Sequence, residues 1–518
     1  MAAEVELKLT LDRRVASRAA ELVGHPAVAA VRRGRVRTAR VASTYYDTAD
    51  FALEQARVAL RLRRDGARVV QTVKGPPLDA AAGALHAHDE HEWRLARARL
   101  DPARLSATPW HKLFARAQRH GGFAPVFATD VVRHSVPLAF PDGSTATLAI
   151  DVGSIRAQPP SRRRLPLAEI EIEVGQGTAA TAYDLALALV DDWPLTVATS
   201  SKAARGYALV HGTPDGAAAP VHAAPVSFVD DGPAEEALRA IARECVRQIA
   251  ANADGLLADD DTEWVHQMRI GTRRLRSCLS LVATIAGRAR VAPLADEVRW
   301  LAASLGTARD WDVLVVETMP PLAAALAHGP AAAPGLQRLG RAVRARQQAA
   351  RAAARQAVRS RRFQRLLLAT GALCARPVPA RAGSESETAR AFAERLLARR
   401  HARLLERGAV LAHATPEERH AVRVAAKKLR YVAEFFAPPR AGKRYRRYVK
   451  ALTRLQDALG HWHDAVSAAR LAALLASRAD DATVGAVGGW VAAQVVALEP
   501  EIDDAWQRFV AVECFWTR

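Results

Sequence analysis

The chain reads as an α+β multidomain protein, with a β-rich first part followed by an all-α second part of two repeated helical bundles. Three observations predict this. Period-two alternation recurs along residues 1–211, with ionic side chains on one face of strand after strand. From Ala234 onward Ala, Leu and Arg dominate at helical spacing and strand signals nearly vanish. Within that second part a charged motif occurs twice, 154 residues apart. A chain of 518 residues is too long for one ordinary core. The expected boundaries are 1–211 for the first domain, 212–232 for a linker interrupted by Pro214, Pro220 and Pro225, and 233–518 for the helical domain, with repeats at about 234–385 and 386–518.

The first element is Glu4-Val5-Glu6-Leu7-Lys8. As a strand it puts Glu4, Glu6 and Lys8 on one face, with the two carboxylates about 7 Å apart. They repel unless something positive sits between them, and a divalent metal is the obvious candidate. The same alternation returns in Glu169-Ile170-Glu171-Ile172-Glu173. Two such strands facing each other would form a metal cage; each alone also fits an edge strand with a solvated polar face.

Asp12 to Val23 reads as a short helix. Strands are expected at Val41–Tyr46, Val58–Arg64, Ala67–Lys74, Glu90–Leu95, Ala128–Pro137, Thr145–Val152 and Ala168–Val174, which with the opening stretch makes about eight. Pro102 to Gln118 and Thr178 to Asp192 read as helices. Charges recur on one face: Arg61 and Arg63, Lys74, Glu90 and Glu92, Arg133, Asp151. A sheet wet on one side would explain them, as would a closed barrel with the charges inside. Inward charge is costly unless the interior holds water, metal and an anionic ligand. Carboxylates suit Mg²⁺ or Mn²⁺, while Arg forks and Lys point charges suit phosphoryl oxygens.

Taken in order, Glu4-Val-Glu6-Leu-Lys8, Thr44-Tyr45-Tyr46-Asp47-Thr48, Leu60-Arg61-Leu62-Arg63, Thr72-Val73-Lys74-Gly75, His91-Glu92-Trp93, Thr129-Asp130-Val-Val-Arg133, Asp151-Val-Gly153, the Glu169–Glu173 stretch and Ser201-Lys202-Ala-Ala-Arg205-Gly206-Tyr207 resemble the marks of the CYTH, or triphosphate tunnel metalloenzyme, family over about residues 1–210. The resemblance implies an eight-stranded antiparallel barrel forming a tunnel. It further implies divalent-metal-dependent hydrolysis of inorganic triphosphate. Carried over residue by residue, it makes Glu4, Glu6, Glu169 and Glu171 the metal ligands, with Glu173 a further member. Lys8, Arg61, Arg63, Lys74, Arg133 and Lys202 become the triphosphate-binding cations, and Glu92 and Asp151 acidic tunnel positions. Glu4, Glu6, Lys8, Lys74 and Glu171 are the expected catalytic set. His86, His88 and His91 are not part of the signature and are expected in a solvated loop. No GxxxxGK[ST] loop or Ser-His-Asp arrangement competes for the chemistry.

In the second part, His266-Gln-Met-Arg269-Ile-Gly-Thr-Arg273-Arg274-Leu275-Arg276 matches His420-Ala-Val-Arg423-Val-Ala-Ala-Lys427-Lys428-Leu429-Arg430, and Leu305-Gly306 with Asp310 matches Leu459-Gly460 with Asp464. At about 100° per residue, His266, Arg269, Arg273 and Arg276 fall within an arc of about 80°. Unpaired cations along one face repel, and a polyanion would relieve them. Asp310 and Asp464 are candidates to pin these side chains. Arg344, Arg351, Arg355, Arg359 and Arg362 share another helical face, and Lys443, Arg444, Arg446, Arg447 and Lys450 cluster further on. The two motif copies resemble the CHAD family over about residues 233–475. That resemblance implies an α-helical domain that binds inorganic polyphosphate through His266, Arg269, Arg273, Arg274, Arg276, His420, Arg423, Lys427, Lys428 and Arg430. The stretch past Arg470, with Trp490, Trp506 and Trp516, is expected to be helical without a motif.

The charge balance supports an anionic partner: 74 Lys+Arg against 54 Asp+Glu, net +20. Residues 231–518 hold 45 basic and 30 acidic side chains, so most of the excess is in the helical part. Twelve Phe and seven Tyr are few for a single-strand nucleic-acid binder. Four cysteines without a CxxC pair suggest neither zinc nor disulfides. With no signal-peptide pattern and no run of about 18 apolar residues, the expected location is the cytoplasm, in association with polyphosphate granules, without membrane contact. Alternatives are a polyphosphate-targeting protein with an inactive barrel, or a tunnel enzyme acting on a nucleotide or thiamine triphosphate.

Overall fold

The computed structural model describes residues 4–78, 85–159, 161, 163–213, 219–326, 333–376, 387–437, 442–473 and 481–516; Pro214 of the expected linker lies outside them. The chain divides into two compact units, Met1–His222 with Val246–Trp264 and Val358–Pro377, and Ala223–Cys245 with Val265–Ala357 and Val378–Arg518.

The first unit is built on β1 (Glu4–Leu11), β2 (Arg37–Asp47), β3 (Ala59–Asp65), β4 (Arg68–Pro77), β5 (Leu85–Leu95), β6 (Ala124–Ala139), β7 (Thr145–Ala157), β8 (Arg164–Gln176) and β9 (Leu195–Val197). The order β5-β4-β3-β2-β6-β7-β8-β1 closes through a β5–β1 pairing, all antiparallel, and β9 is appended to β1. The alternative of a sheet wet on one face is therefore set aside: the barrel closes on eight strands. Alternation explains why both faces of a strand are occupied. Along β1 and β8 the charged residues face inward, while Leu7, Leu9, Ile170 and Ile172 are fully buried outside. Each such side chain contributes about 1.5–3 kcal/mol by burial.

Their cover includes the helix Ala180–Asp192 and the 3₁₀ helix Arg13–Gly24, which Asp12 caps by accepting from the Arg14 amide. The helix Arg361–Ala375 packs in turn on Ala180–Asp192. Gly371 lets it approach, since a Cβ there would lie 2.2 Å from the Tyr183 ring. The single helix expected over Pro102–Gln118 is two pieces, Pro102–Leu105 and His111–Arg119. Pro109 separates them, having no N–H and disfavouring helical backbone at Thr108.

The helix Lys202–His211 starts at Ser201, whose hydroxyl accepts from the Ala204 amide, and ends at Gly212 with φ 73°. Its Gly206 sits against Phe127, which stacks on Tyr45 at 4.4 Å. A Cβ at Gly206 would be 2.2 Å from the Phe127 ring. Gly206→Ala is expected to destabilise the unit by about 1–3 kcal/mol through overpacking, outweighing the ~1 kcal/mol gained in helix propensity. A lowered denaturant midpoint at unchanged slope is the check.

In the second unit, the first motif copy lies on Thr262–Ala286 and precedes Arg288–Val313; the second lies on Pro416–Phe435 and precedes Lys443–Ala473. Thr415 and Glu418 form a reciprocal cap at the second copy. Beyond residue 480 the helix Asp481–Val510 packs on Lys443–Ala473, and Trp506 fills the space left by Gly408. Trp516 joins His401, Tyr448 and Phe515 in an aromatic cluster. The tail is thus part of the core.

Candidate functional site

The barrel encloses a cavity of about 780 Å³ lined by Glu4, Glu6, Lys8, Arg61, Arg63, Lys74, Arg133, Asp151, Glu171, Glu173 and Lys202. Pairing across strands sets Lys8 beside the opposite charge of Glu171, but Glu6 beside the like charge of Glu173. One charge cluster centres on Lys74. Its Nζ donates to Glu4 and, at 2.6 Å, to Glu6, and lies 3.6 Å from Glu90. A second centres on Lys202 at the first turn of its helix, with Glu171 at 2.6 Å, Asp151 at 2.8 Å and Glu169 at 3.4 Å. Arg133 holds both oxygens of Asp151 at 2.7 and 2.6 Å and reaches Glu171 at 2.9 Å. Lys8 links the clusters, 3.0 Å from Glu6 and 3.6 Å from Glu171. Arg61 pairs with Glu90 and Arg63 with Glu92.

These carboxylates are unequal. Burial raises Glu4 to about 7, helped by Glu90 and Glu6 and opposed by Lys74. Burial works against ionisation of Glu6 too, but Lys8 and Lys74 hold it down at about 2. Desolvation works against ionisation of the half-buried Glu171, yet Lys202, Lys8 and Arg133 hold it well below the usual carboxylate range. Burial, with Glu4, Glu6 and Glu171 nearby, pushes Glu173 up. The Lys74 side of the cavity therefore carries more carboxylate than its cations neutralise, and Glu90 Oε2 is buried without a hydrogen bond. Hard oxygen donors with an unmet negative charge fit Mg²⁺ or Mn²⁺. Among the described residues no three His, Cys, Asp or Glu already surround one point, because Lys74 and Lys202 stand between the carboxylates.

Glu169 lies apart from the other expected ligands. It is fully buried and absent from the cavity wall, held by Arg205 and Lys202 beneath the first turn of the Lys202–His211 helix; the wall also carries Glu173. The expectation for the histidines needs correction. They lie on β5, where it closes the barrel against β1, with His88 opposite Glu4 and His86 opposite Glu6. His86, His88 and His91 are 9%, 7% and 6% exposed, so none is in a solvated loop. His86 Nε2 donates to the Ala198 carbonyl at 2.9 Å and His88 Nδ1 to that of Gly75 at 2.8 Å, and both line the cavity. Period-two spacing with Glu90 and Glu92 was the signal that could have found them. Asp254, another cavity residue, had no such signal: it comes from the helix Ala234–Ala258, far along the chain, and accepts a hydrogen bond from Thr199.

In the helical unit, Arg269 lies 3.6 Å from Asp310 and Arg423 3.7 Å from Asp464, equivalent pairs in the two copies. Arg273 and Lys427 lie beside them, close enough for Arg273 and Arg269 to act on Lys427. Lys428 faces a different group of cations, Arg400, Arg403, Arg407 and Arg276. Arg274 corrects the expectation: it is 5% exposed, bonds Glu434 at 2.9 Å and lies over the Phe435 ring. Eight residues from His266, it falls about 80° round the helix, outside the basic arc. Arg430 approaches the same Glu434 at 3.4 Å. Arg351, expected on an open basic face, is buried against Asp312.

A closed antiparallel barrel with acidic and basic side chains interleaved in its interior, followed by helices carrying a duplicated basic motif, defines a tunnel-fold protein with an appended helical domain. The chain combines a CYTH domain, matched over residues 2–207, with a CHAD domain, matched over residues 240–473. It is similar to an uncharacterized protein of Mycobacterium tuberculosis found in two strains, 34% identical over 206 residues; the match spans 39% of this chain and 39% of the relative. Among solved structures it is similar to the CHAD domain from the plant Ricinus communis, 33% identical with a TM-score of 0.51, covering 57% of this chain and 98% of that one. Another is a protein from Hippeastrum described as having a dominant triphosphatase activity, 17% identical with a TM-score of 0.29, covering 40% of this chain and 96% of that one. Among the described residues no helix is long and apolar enough to cross a membrane.

Proposed function

We propose that the barrel hydrolyses inorganic triphosphate to diphosphate and phosphate with a divalent metal, and that the helical domain binds inorganic polyphosphate. The observation that carries the first reading is the convergence of Lys8, Arg61, Arg63, Lys74, Arg133 and Lys202 with Glu4, Glu6, Glu171 and Glu173 around one cavity. Glu4, Glu6, Glu171 and Glu173 would hold Mg²⁺ or Mn²⁺, which supplies neutralisation of phosphoryl oxygens and activation of water. The lysines and arginines exchange their carboxylate partners for the phosphate chain, Arg133 as a two-pronged fork and Lys74 and Lys202 as point charges. They stabilise charge on the leaving diphosphate. Glu4, raised to about 7 by burial, binds the metal with release of its proton, so occupancy of the site should strengthen as pH rises through 7. The polyphosphate reading rests on the crowded Arg269, Arg273, Arg423 and Lys427. The size of the cavity favours one second reading, a triphosphate that carries an organic group.

Incubated with tripolyphosphate and Mg²⁺ or Mn²⁺, the protein is expected to release phosphate, and chelation to stop it. Faster turnover of thiamine triphosphate or ATP would select the second reading. No release from tripolyphosphate with either metal defeats the first.

A further inference from the structure

We infer that the basic face shared by the two motif copies takes up a proton as a polyanion fills it, with Lys427 the group that gains the proton and His463 a further member of the site. The inference rests on the polyphosphate reading of the helical unit and adds to it a residue and a dependence on pH.

The two copies are unequally compensated. Arg269 and Arg423 each have a carboxylate, and glycines stand where they cross the neighbouring helix: a Cβ on Gly306 would lie 2.9 Å from Arg269, and one on Gly460 3.8 Å from Arg423. Arg273 and Lys427, at corresponding positions, are less well served. The Nε of Arg273 is buried without a hydrogen bond. Lys427 is acted on by Arg423, Arg273 and Arg269 against one carboxylate, Asp464. The groups facing this point come from every element around it. Thr262–Ala286 supplies Arg269 and Arg273, and Arg288–Val313 supplies Arg309 and Asp310; Glu317 follows. Pro416–Phe435 supplies His420 and Arg423, and Lys443–Ala473 supplies His463, Asp464 and Arg470. His463 lies 5.3 Å from the His420 ring. It occupies the position of Arg309 in the first copy, so it falls outside the shared motif.

Burial, then Arg423 and Arg273, push the Lys427 ammonium down to about 6. Burial, with Arg423 and His420, brings His463 to about 4. With only the chain's own groups around it, Lys427 is thus largely neutral above pH 7. A run of phosphates reverses the sign of the local field and favours the ammonium, so the bound pKa exceeds the free one. Affinity then rises as pH falls towards the free value near 6 and levels off below it. For one proton the gain is about tenfold per pH unit.

The test is titration calorimetry of the full chain with long-chain polyphosphate, whose internal phosphates stay ionised. It is run in chelator at about pH 7.5, in buffers of low and high ionisation enthalpy. The expected result is uptake of about one proton per site. Lys427→Arg keeps the charge but does not titrate, so it should retain binding, lose most of the uptake and flatten the pH dependence. Binding without buffer dependence, or undiminished uptake in Lys427→Arg, overturns the inference and leaves the polyphosphate reading standing. Absence of any binding defeats both.

Discussion

Lys74→Met is expected to melt about 10 °C below the wild-type protein in chelator at pH 8, and Mg²⁺ or Mn²⁺ to restore most of the loss. Lys74 is the cation shared by Glu4, Glu6 and Glu90. Removing one partner of a buried ionic cluster leaves charge without compensation, which costs about 3–5 kcal/mol. The sign with pH follows from the same groups. Without Lys74 the carboxylates fold most easily when protonated, so the deficit is smaller at pH 6 than at pH 8. A divalent ion substitutes for the missing ammonium, and the variant should gain more from metal than the wild type does. A variant that melts with the wild type, or that metal leaves unmoved, would show that these carboxylates do not form a cation site. Phosphate release should fall with the same substitution, because Lys74 is also a proposed ligand of the substrate.

Replacing Arg273 and Lys427 together by glutamate is expected to weaken polyphosphate binding at least about a hundredfold, the equivalent of about 3 kcal/mol. The Arg273 reversal changes two units of charge and the Lys427 replacement between one, in the free protein, and two, when polyphosphate has protonated it, on a face where Coulomb terms approach about 1 kcal/mol or more per pair. Stability should hold or improve, because the substitution relieves repulsion among Arg269, Arg273, Arg423 and Lys427. Binding measured by filter retention at several salt concentrations and a thermal melt of the same samples separate the two effects. Lost binding with a lowered melting temperature would assign these cations to folding. Undiminished binding would move the polyanion to the other basic patch, around Lys428 and Arg400.

The legible parts of this chain were those where charge and periodicity coincide. β1 and β8 were read from alternation alone, since one face must be apolar for the outer core and the other carries the ions. The duplicated motif could be read because a 154-residue offset preserves the helical phase of each cation. Less legible was any position that depends on what covers it. Glu169 and Glu171 belong to one alternation, yet the first is sealed by Arg205 and the second lines the cavity. His86 and His88 looked like loop residues until β5 paired with β1. Arg274 and Arg273 are neighbours in the motif, and a rotation of about 100° puts one in the interior and the other at the basic face.

By itself the sequence determined which side chains share a strand face or a helix arc, because those follow from the local repeat of the backbone. It also determined that like charges gather on those faces and need counter-charges from elsewhere in the chain or from a ligand. Only the tertiary structure decided which carboxylate meets which cation: closure of β5 on β1 and the seating of the Lys202–His211 helix bring together groups separated by up to 160 residues. At a few ångströms in a buried interior such pairings differ by several kcal/mol, and no local pattern carries that information.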